Sequence, residues 1–219
     1  MFNYCPPQDL QDLKSQTFPD GKRYYTLEDG TKLPSVTTVL GAKKKAAIME
    51  WRKRVGEEEA NRVSKKATSR GTNVHTLCER YLNNEDINHK DMMPDSLDMF
   101  YSLKPFLANI NNIWYQEQAL YSRILELAGR VDCIAEYEGE LSIIDFKTSS
   151  RVKTKDQIED YFVQCTAYGL MLEEMIDVPV NQIVVVMAVE NSAPIIFKER
   201  TENYIETLVK YINFYKNQA

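Results

Sequence analysis

The sequence contains little of several residue types on which common classes of protein depend. Its 219 residues include only four cysteines and two histidines. The cysteines, Cys5, Cys78, Cys133 and Cys165, form no Cys-x-x-Cys pair, so neither a zinc site nor a disulfide framework is indicated. Three of them, Cys78, Cys133 and Cys165, lie in apolar patterns, which is typical of buried thiols that pack as small hydrophobic groups.

Long hydrophobic runs and recognition motifs are also missing. No window approaches the roughly 18 apolar residues of a membrane span. The N-terminal segment has neither a signal-peptide nor a transit-peptide pattern. There is no Gly-x-x-x-x-Gly-Lys-Ser/Thr motif for ATP, and nothing resembles a helix-turn-helix or a zinc finger. We therefore expect a cytoplasmic protein that uses no ATP and contacts no membrane.

Charge is distributed unevenly along the chain. The net charge is -5, from 27 Lys and Arg against 32 Asp and Glu. Residues 42–70 hold ten basic and four acidic residues, which leaves 17 basic and 28 acidic residues elsewhere. Such a basic segment on an acidic body either steers a polyanion to one place or forms an ordinary solvated helical surface.

The hydrophobic periodicity changes from helical to alternating near residue 112. We expect residues 1–111 to form a hairpin and a helical region, and residues 112–219 to form an α/β core, within a single compact domain. The predicted helices begin after Ser35 and break near Gly56 and again near Gly71. The predicted elements are a hairpin at 22–33, helices within 44–83 and at 96–111, a loop at 83–97, strands at 113–122, 127–137, 140–147, 183–188 and 194–199, and helices at 155–175 and 202–217.

One predicted hairpin brings two acidic side chains together. A two-residue turn at Glu138-Gly139 makes partner numbers sum to 277 and places Asp132 opposite Asp145. Directly paired residues hold their Cβ atoms about 4.5–5.5 Å apart. Alternation along the strand puts Lys147 on the same face as Asp145.

This arrangement suits chemistry on phosphodiesters. Paired carboxylates repel, and a hard divalent cation such as Mg²⁺ or Mn²⁺ removes that penalty. A metal lowers the pKa of a bound water, and a lysine nearby offsets developing charge. The alternative is a pair of solvated acids with a surface ion pair. The apolar neighbours Ile143, Ile144 and Phe146 favour the functional interpretation.

The sequence resembles the RecB-like branch of the P-D/E-x-K nuclease superfamily. This resemblance implies an α/β core, with a central mixed sheet flanked by helices and an N-terminal helical region. The motifs occur in the family's order over about 100 residues. They are Arg70-Gly71-Thr72-x-x-His75-x-x-x-Glu79, Gly129-x-x-Asp132, Asp145-Phe146-Lys147 and Gln164-x-x-x-Tyr168.

The resemblance implies a metal site and assigns its ligands. Asp132, Asp145, the carbonyl of Phe146 and His75 would bind Mg²⁺ or Mn²⁺, and Glu79 would orient His75 or remain solvated. Taken alone, His75 would be interpreted as a partly buried residue at the edge of an apolar helical stripe. Because the cysteines are scattered, no iron–sulfur cluster is expected.

The same resemblance assigns the remaining site residues. Lys147 would position or activate the attacking water, and Gln164 and Tyr168 would support DNA or Lys147. The alternative for Gln164 and Tyr168 is an amphipathic border that covers the core.

The segment Pro34-Ser35-Val36-Thr37 is similar to the group of mitochondrial genome maintenance exonucleases and their phage relatives. In that group the N-terminal helices help to enclose single-stranded DNA. Ser35, Thr37 and Arg70 are then candidates for phosphate contacts. Alternatively, Ser35 is only a helix cap and Arg70 only a surface charge.

We therefore predict a metal-dependent deoxyribonuclease, an exonuclease on single-stranded DNA that leaves 5′-phosphate ends. A bacteriophage or bacterial role in DNA replication, recombination, repair or degradation would suit it. A double-strand 5′-to-3′ exonuclease and a flap or junction endonuclease are alternatives within the same fold. A catalytically inactive DNA-binding module is the alternative outside enzymes.

Overall fold

The computed structural model describes residues 1–87 and 92–218. The chain begins with a three-stranded antiparallel sheet, made of β1 (Lys14–Thr17), β2 (Arg23–Thr26) and β3 (Lys32–Pro34). Strands β2 and β3 form the hairpin predicted at 22–33. Strand β1 was not predicted, because its four side chains are all exposed and so leave no apolar alternation in the sequence.

Two long helices follow this small sheet. Helix α1 (Val36–Val55) begins at Ser35, whose side chain accepts a hydrogen bond from the backbone N–H of Thr38. The predicted helix cap is therefore confirmed. Gly56, with φ of 87°, separates α1 from helix α2 (Glu57–Leu82), as the sequence predicts.

The break predicted near Gly71 is wrong, because α2 continues through that glycine. A Cβ atom placed on Gly71 would lie 3.8 Å from Oγ1 of Thr148, an ordinary van der Waals distance, so the helix passes close to the end of the strand that contains Thr148. The neighbouring Arg70 is buried and forms an ion pair with Glu190. These distant contacts hold the helix where local propensity indicates an interruption.

Helix α3 (Pro94–Leu107) starts earlier and ends earlier than the predicted helix at 96–111. Its last predicted turn is lost because Ile110 already belongs to the central sheet. The polar loop predicted at 83–97 falls partly on residues 88–91, which lie outside the described residues.

A five-stranded mixed sheet forms the centre of the protein, as predicted. Its strand order is β4-β5-β6-β7-β8, and β6 and β7 are parallel whereas the other neighbours are antiparallel. The strands are β4 (Ile110–Ser122), β5 (Leu127–Tyr137), β6 (Glu140–Ser149), β7 (Gln182–Val189) and β8 (Ile195–Arg200).

Helices pack on both faces of this sheet. Helix α4 (Glu159–Ile176) and helix α5 (Ile205–Lys216) each follow a short 3-10 turn. One buried cluster joins α4, α5 and the start of α1 to the sheet. A second joins α2 and α3 to the other face. Because side chains alternate along β6, Ile143 enters the first cluster and Ile144 the second.

The thiols of Cys78, Cys133 and Cys165 are buried, as the apolar patterns predict, and Cys5 is exposed. Among the helices of residues 1–87 and 92–218, none combines the length and apolar character that a membrane crossing requires.

Candidate active site

The hairpin of β5 and β6 has the register that its turn predicts. Glu138 and Gly139 both have positive φ, at 53° and 84°, as a two-residue turn with the hairpin's twist requires. Tyr137 pairs with Glu140, and the ladder extends to the pair Cys133 and Ile144. The paired register ends there, one position before Asp132 and Asp145, so both acids lie just beyond the end of the ladder.

Asp132 and Asp145 have different surroundings at the end of this ladder. The backbone N–H of Phe146 donates to Oδ2 of Asp132 at 2.8 Å. Asp145 is only 1% exposed, and its Oδ1 accepts from Nζ of Lys147 at 2.5 Å. Its other oxygen, Oδ2, is buried and has no hydrogen-bond partner among the described residues. An unpaired carboxylate oxygen is costly to bury, so this atom is suited to a ligand.

Burial raises the pKa of Asp145 to about 6, the adjacent Lys147 opposes this rise, and Asp132 adds to it. For Lys147, burial alone would lower the pKa. The carboxylates of Asp145 and Asp132 outweigh burial and hold the pKa of Lys147 above its ordinary value. The Lys147 ammonium also lies 5.1 Å from the centre of the Tyr161 ring, within the range of a cation–π contact.

A third carboxylate, which the sequence interpretation missed, faces the same site. Glu117 of β4, His75 of α2 and Asp132 each offer a ligand atom, and these atoms lie within 4.8 Å of one another. Nδ1 of His75 is 3.4 Å from Oδ2 of Asp132. Burial raises the pKa of Glu117 to about 7, and Asp132 and Glu79 raise it further. Three such groups could hold a divalent cation.

The register of the β4–β5 hairpin contains the signal that would have found Glu117. Ser122 pairs with Leu127, so partner numbers sum to 249 and Glu117 stands opposite Asp132. The backbone is irregular there, because Glu117 has φ of 46° and its carbonyl accepts a hydrogen bond from Arg130.

Gln164 and Tyr168 lie one turn apart on α4, and Nε2 of Gln164 lies 3.2 Å from the Tyr168 hydroxyl. A Cβ atom on Gly129 would come within 2.6 Å of Cε1 of Tyr168. Real Cβ atoms do not approach that closely, so the Tyr168 ring requires a glycine in the Gly129-x-x-Asp132 motif. This contact connects two of the motifs in space.

Other predicted site residues occupy different positions. Ser35 is buried and caps α1, and its hydroxyl lies 3.0 Å from Oγ1 of Thr37. Arg70 is 3.0 Å from Oε2 of Glu190. The carboxylate of Glu79 makes no hydrogen bond to His75 within the described part of the chain, so its orienting role remains a prediction.

Most of these groups line a cavity of about 580 Å³ next to α1, whereas Asp145, Phe146 and Glu79 are not on its wall. The cavity brings Ser35 and Thr37 together with most of the predicted site, whereas Arg70 lines a separate opening. At its edge, Nζ of Lys44 on α1 lies 2.5 Å from Oδ2 of Asp160 on α4. Predicted site residues on the cavity wall are Ser35, Thr37, His75, Asp132, Lys147, Gln164 and Tyr168, and Glu117 joins them.

The fold and the motifs agree with a known family. The pattern that defines the PD-(D/E)XK nuclease superfamily matches residues 39–212, so the chain belongs to this superfamily. Its members use divalent metal ions, in agreement with the ligand groups gathered at the end of the β5–β6 hairpin.

The chain is also similar to curated proteins named mitochondrial genome maintenance exonuclease 1. The Xenopus tropicalis protein is 29% identical over 77% of this chain and 51% of its own length. The human protein is 28% identical over 55% of this chain and 38% of its own length. The chain therefore spans about half or less of these relatives. A solved structure from Eubacterium rectale covers 69% of this chain and 65% of its own, with 12% identity and a TM-score of 0.46.

Proposed function

We propose that the protein is a metal-dependent deoxyribonuclease whose active site lies at the end of the β5–β6 hairpin. The observation that carries this proposal is the buried Oδ2 atom of Asp145, which has no hydrogen-bond partner among the described residues. It belongs to a site that also contains Asp132, Lys147 and His75. A cation beside this oxygen would provide the partner that the protein does not.

The donor atoms fit Mg²⁺ or Mn²⁺ better than a softer metal, because most of them are carboxylate oxygens. We propose Asp132, Asp145, the carbonyl of Phe146 and His75 as ligands, and we add Glu117. When bound, the cation supplies Lewis-acid stabilisation of the charge that develops on the phosphate.

Lys147 is the counter-ion of Asp145. Its raised pKa supports an ammonium that orients the attacking water and stabilises negative charge on the phosphate. Gln164 and Tyr168 also line the cavity, where they would hold the substrate or Lys147 in position.

We propose a single-stranded DNA exonuclease that leaves 5′-phosphate ends. A cavity of about 580 Å³ has the size of a small-molecule site, so it suits a few nucleotides better than a duplex. The names of the relatives support exonuclease action. Ser35, Thr37 and Arg70 are proposed DNA contacts. A role in DNA replication, recombination, repair or degradation, in a cytoplasm, remains a prediction, and the relatives are named as mitochondrial.

The proposal is tested by digesting single- and double-stranded oligonucleotides labelled at the 5′ or the 3′ end. Mg²⁺ and Mn²⁺ are compared with EDTA, for the unmodified protein, for Lys147→Ala and for Lys210→Ala. Lys210 is the matched control, because it is an exposed lysine on α5. We expect metal-dependent cleavage that falls by at least about a hundredfold in Lys147→Ala, as for loss of one preorganised donor, and that persists in Lys210→Ala.

Each other outcome identifies a different function. Cleavage of closed circular DNA would indicate an endonuclease, and a preference for duplex ends would indicate a double-strand exonuclease. DNA binding without cleavage of any substrate would indicate an inactive binding module. Cleavage that survives Lys147→Ala would place the chemistry on other residues.

A further inference from the structure

A second opening lies beyond the catalytic hairpin, on the side of β6 away from the turn. Its volume is about 620 Å³, and it lies between α1, α2 and the segment after β6. Tyr161 lines both this opening and the proposed active-site cavity. Thr148 and Ser149 follow Lys147 directly and line the new opening, so it begins within roughly 10 Å of the lysine along the strand.

Four cationic side chains surround this opening. Arg70 is neutralised by Glu190, which Lys66 also approaches. Arg54, Arg151 and Lys153 form no ion pair with any carboxylate in residues 1–87 and 92–218. In a chain with a net charge of -5, three unpaired cations around one concave surface favour an anionic ligand.

The same opening carries aromatic surface. Trp51 of α1 and Tyr161 of α4 both contribute to its wall. A binding site for single-stranded nucleic acid combines basic side chains with aromatic rings, because the phosphates bind cations and the unpaired bases stack on the rings. An isolated inorganic anion would gain no stabilisation from contact with the aromatic rings.

We propose that this opening is a subsite for one or two unpaired nucleotides next to the scissile phosphate. A base stacks on Trp51, and the guanidinium groups of Arg54 and Arg151, together with Lys153, hold the backbone phosphates. The proposal rests on the proposed function, because the DNA strand that is cleaved at the hairpin would pass Tyr161 and enter this opening. It assigns roles to Trp51, Arg54, Arg151 and Lys153, which the motifs leave without one.

The test uses fluorescence, because the chain has only two tryptophans. Trp114→Phe leaves Trp51 as the reporter, and Trp51→Phe in the unmodified background serves as the conservative variant. Oligothymidylates of about 4 to about 12 nucleotides that carry a fluorescent label are titrated in EDTA, so that anisotropy gives the affinity of every variant, including those without Trp51, in the absence of cleavage. Circular dichroism checks that each variant is folded.

We expect oligonucleotide to quench Trp51 emission, and Trp51→Leu to weaken binding by about fivefold or more, with recovery in Trp51→Phe. Arg151→Gln should weaken binding and reduce the slope of log affinity against log salt by about 0.7, as expected for one lost phosphate contact on a single strand. Lys210→Gln is the matched control and should leave both quantities unchanged.

The outcomes separate this inference from the proposed function. The subsite would be overturned if Trp51 emission is unchanged and if Trp51→Leu and Arg151→Gln bind within about twofold of the parent. This holds even if metal-dependent cleavage is observed. The protein could instead cleave no substrate while oligonucleotide quenches Trp51 emission and Arg151→Gln weakens this quenching. That result would uphold the subsite and refute the nuclease.

Discussion

Glu117 gives the sharpest test of the proposed metal site, because its pKa and that of Asp145 differ. Burial raises the pKa of Glu117 to about 7 and that of Asp145 to about 6. A divalent cation binds the ionised carboxylates, so it must displace the protons that these groups hold at low pH. Metal affinity should therefore fall as the pH falls through this range.

The size of the effect follows from the two pKa values. At about pH 6, a carboxyl with a pKa of about 7 is ionised in roughly one molecule in ten, and one with a pKa of about 6 in about half. Metal affinity should then be about 20-fold weaker at about pH 6 than at about pH 8. In Glu117→Gln the contribution of Glu117 is lost, so the change should be about tenfold smaller than in the unmodified protein.

Calorimetric titration with Mn²⁺, without DNA, measures this difference. His75, Asp132, Glu79 and Arg130 also face Glu117, but they are present in both proteins, so their effects cancel in the comparison to first order. The variant should also bind Mn²⁺ more weakly at about pH 8, because one carboxylate is lost. A change of about 20-fold that persists in Glu117→Gln would refute the assignment of Glu117 to the site.

Two further predictions concern packing and capping. Gly129→Ala should lower the free energy of unfolding by about 1–3 kcal/mol in urea titrations, because its Cβ would meet the Tyr168 ring at 2.6 Å, and Tyr168→Leu should restore part of the loss. Additive effects of the two substitutions would contradict that contact. Ser35→Ala should cost about 1 kcal/mol, because the N–H of Thr38 loses its acceptor. Unchanged stability would show that the cap contributes little.

Most of the central sheet could be predicted from sequence, because its signals are local. The Glu138-Gly139 turn fixes the register of β5 and β6, and alternation then decides which side chains share a face. Counting along this register predicts that Asp132 and Asp145 lie close together at its end. The buried face of the helical pattern at 155–175 was predicted in the same way, since Ile158, Phe162, Cys165 and Leu172 are all buried as expected.

The missed features depend on contacts between distant parts of the chain. The helix continues through Gly71 because Arg70 reaches Glu190, which is 120 residues away in sequence. Glu117 was missed because an isolated glutamate in a strand carries no motif, although its hairpin register was available. Strand β1 has only exposed side chains, so its position follows from pairing with β2 and not from its own pattern.

The proposed active site also has a mechanical consequence, because its side chains come from both sides of the sheet. His75 belongs to α2, whose apolar stripe packs in one buried cluster, whereas Gln164 and Tyr168 belong to α4 in the other. Asp132 and Asp145 lie between them on the strands. An ion held by His75 and these carboxylates would cross-link α2 to the strands. Each further tenfold excess of ion over its dissociation constant would then add about 1.4 kcal/mol against separation of these layers.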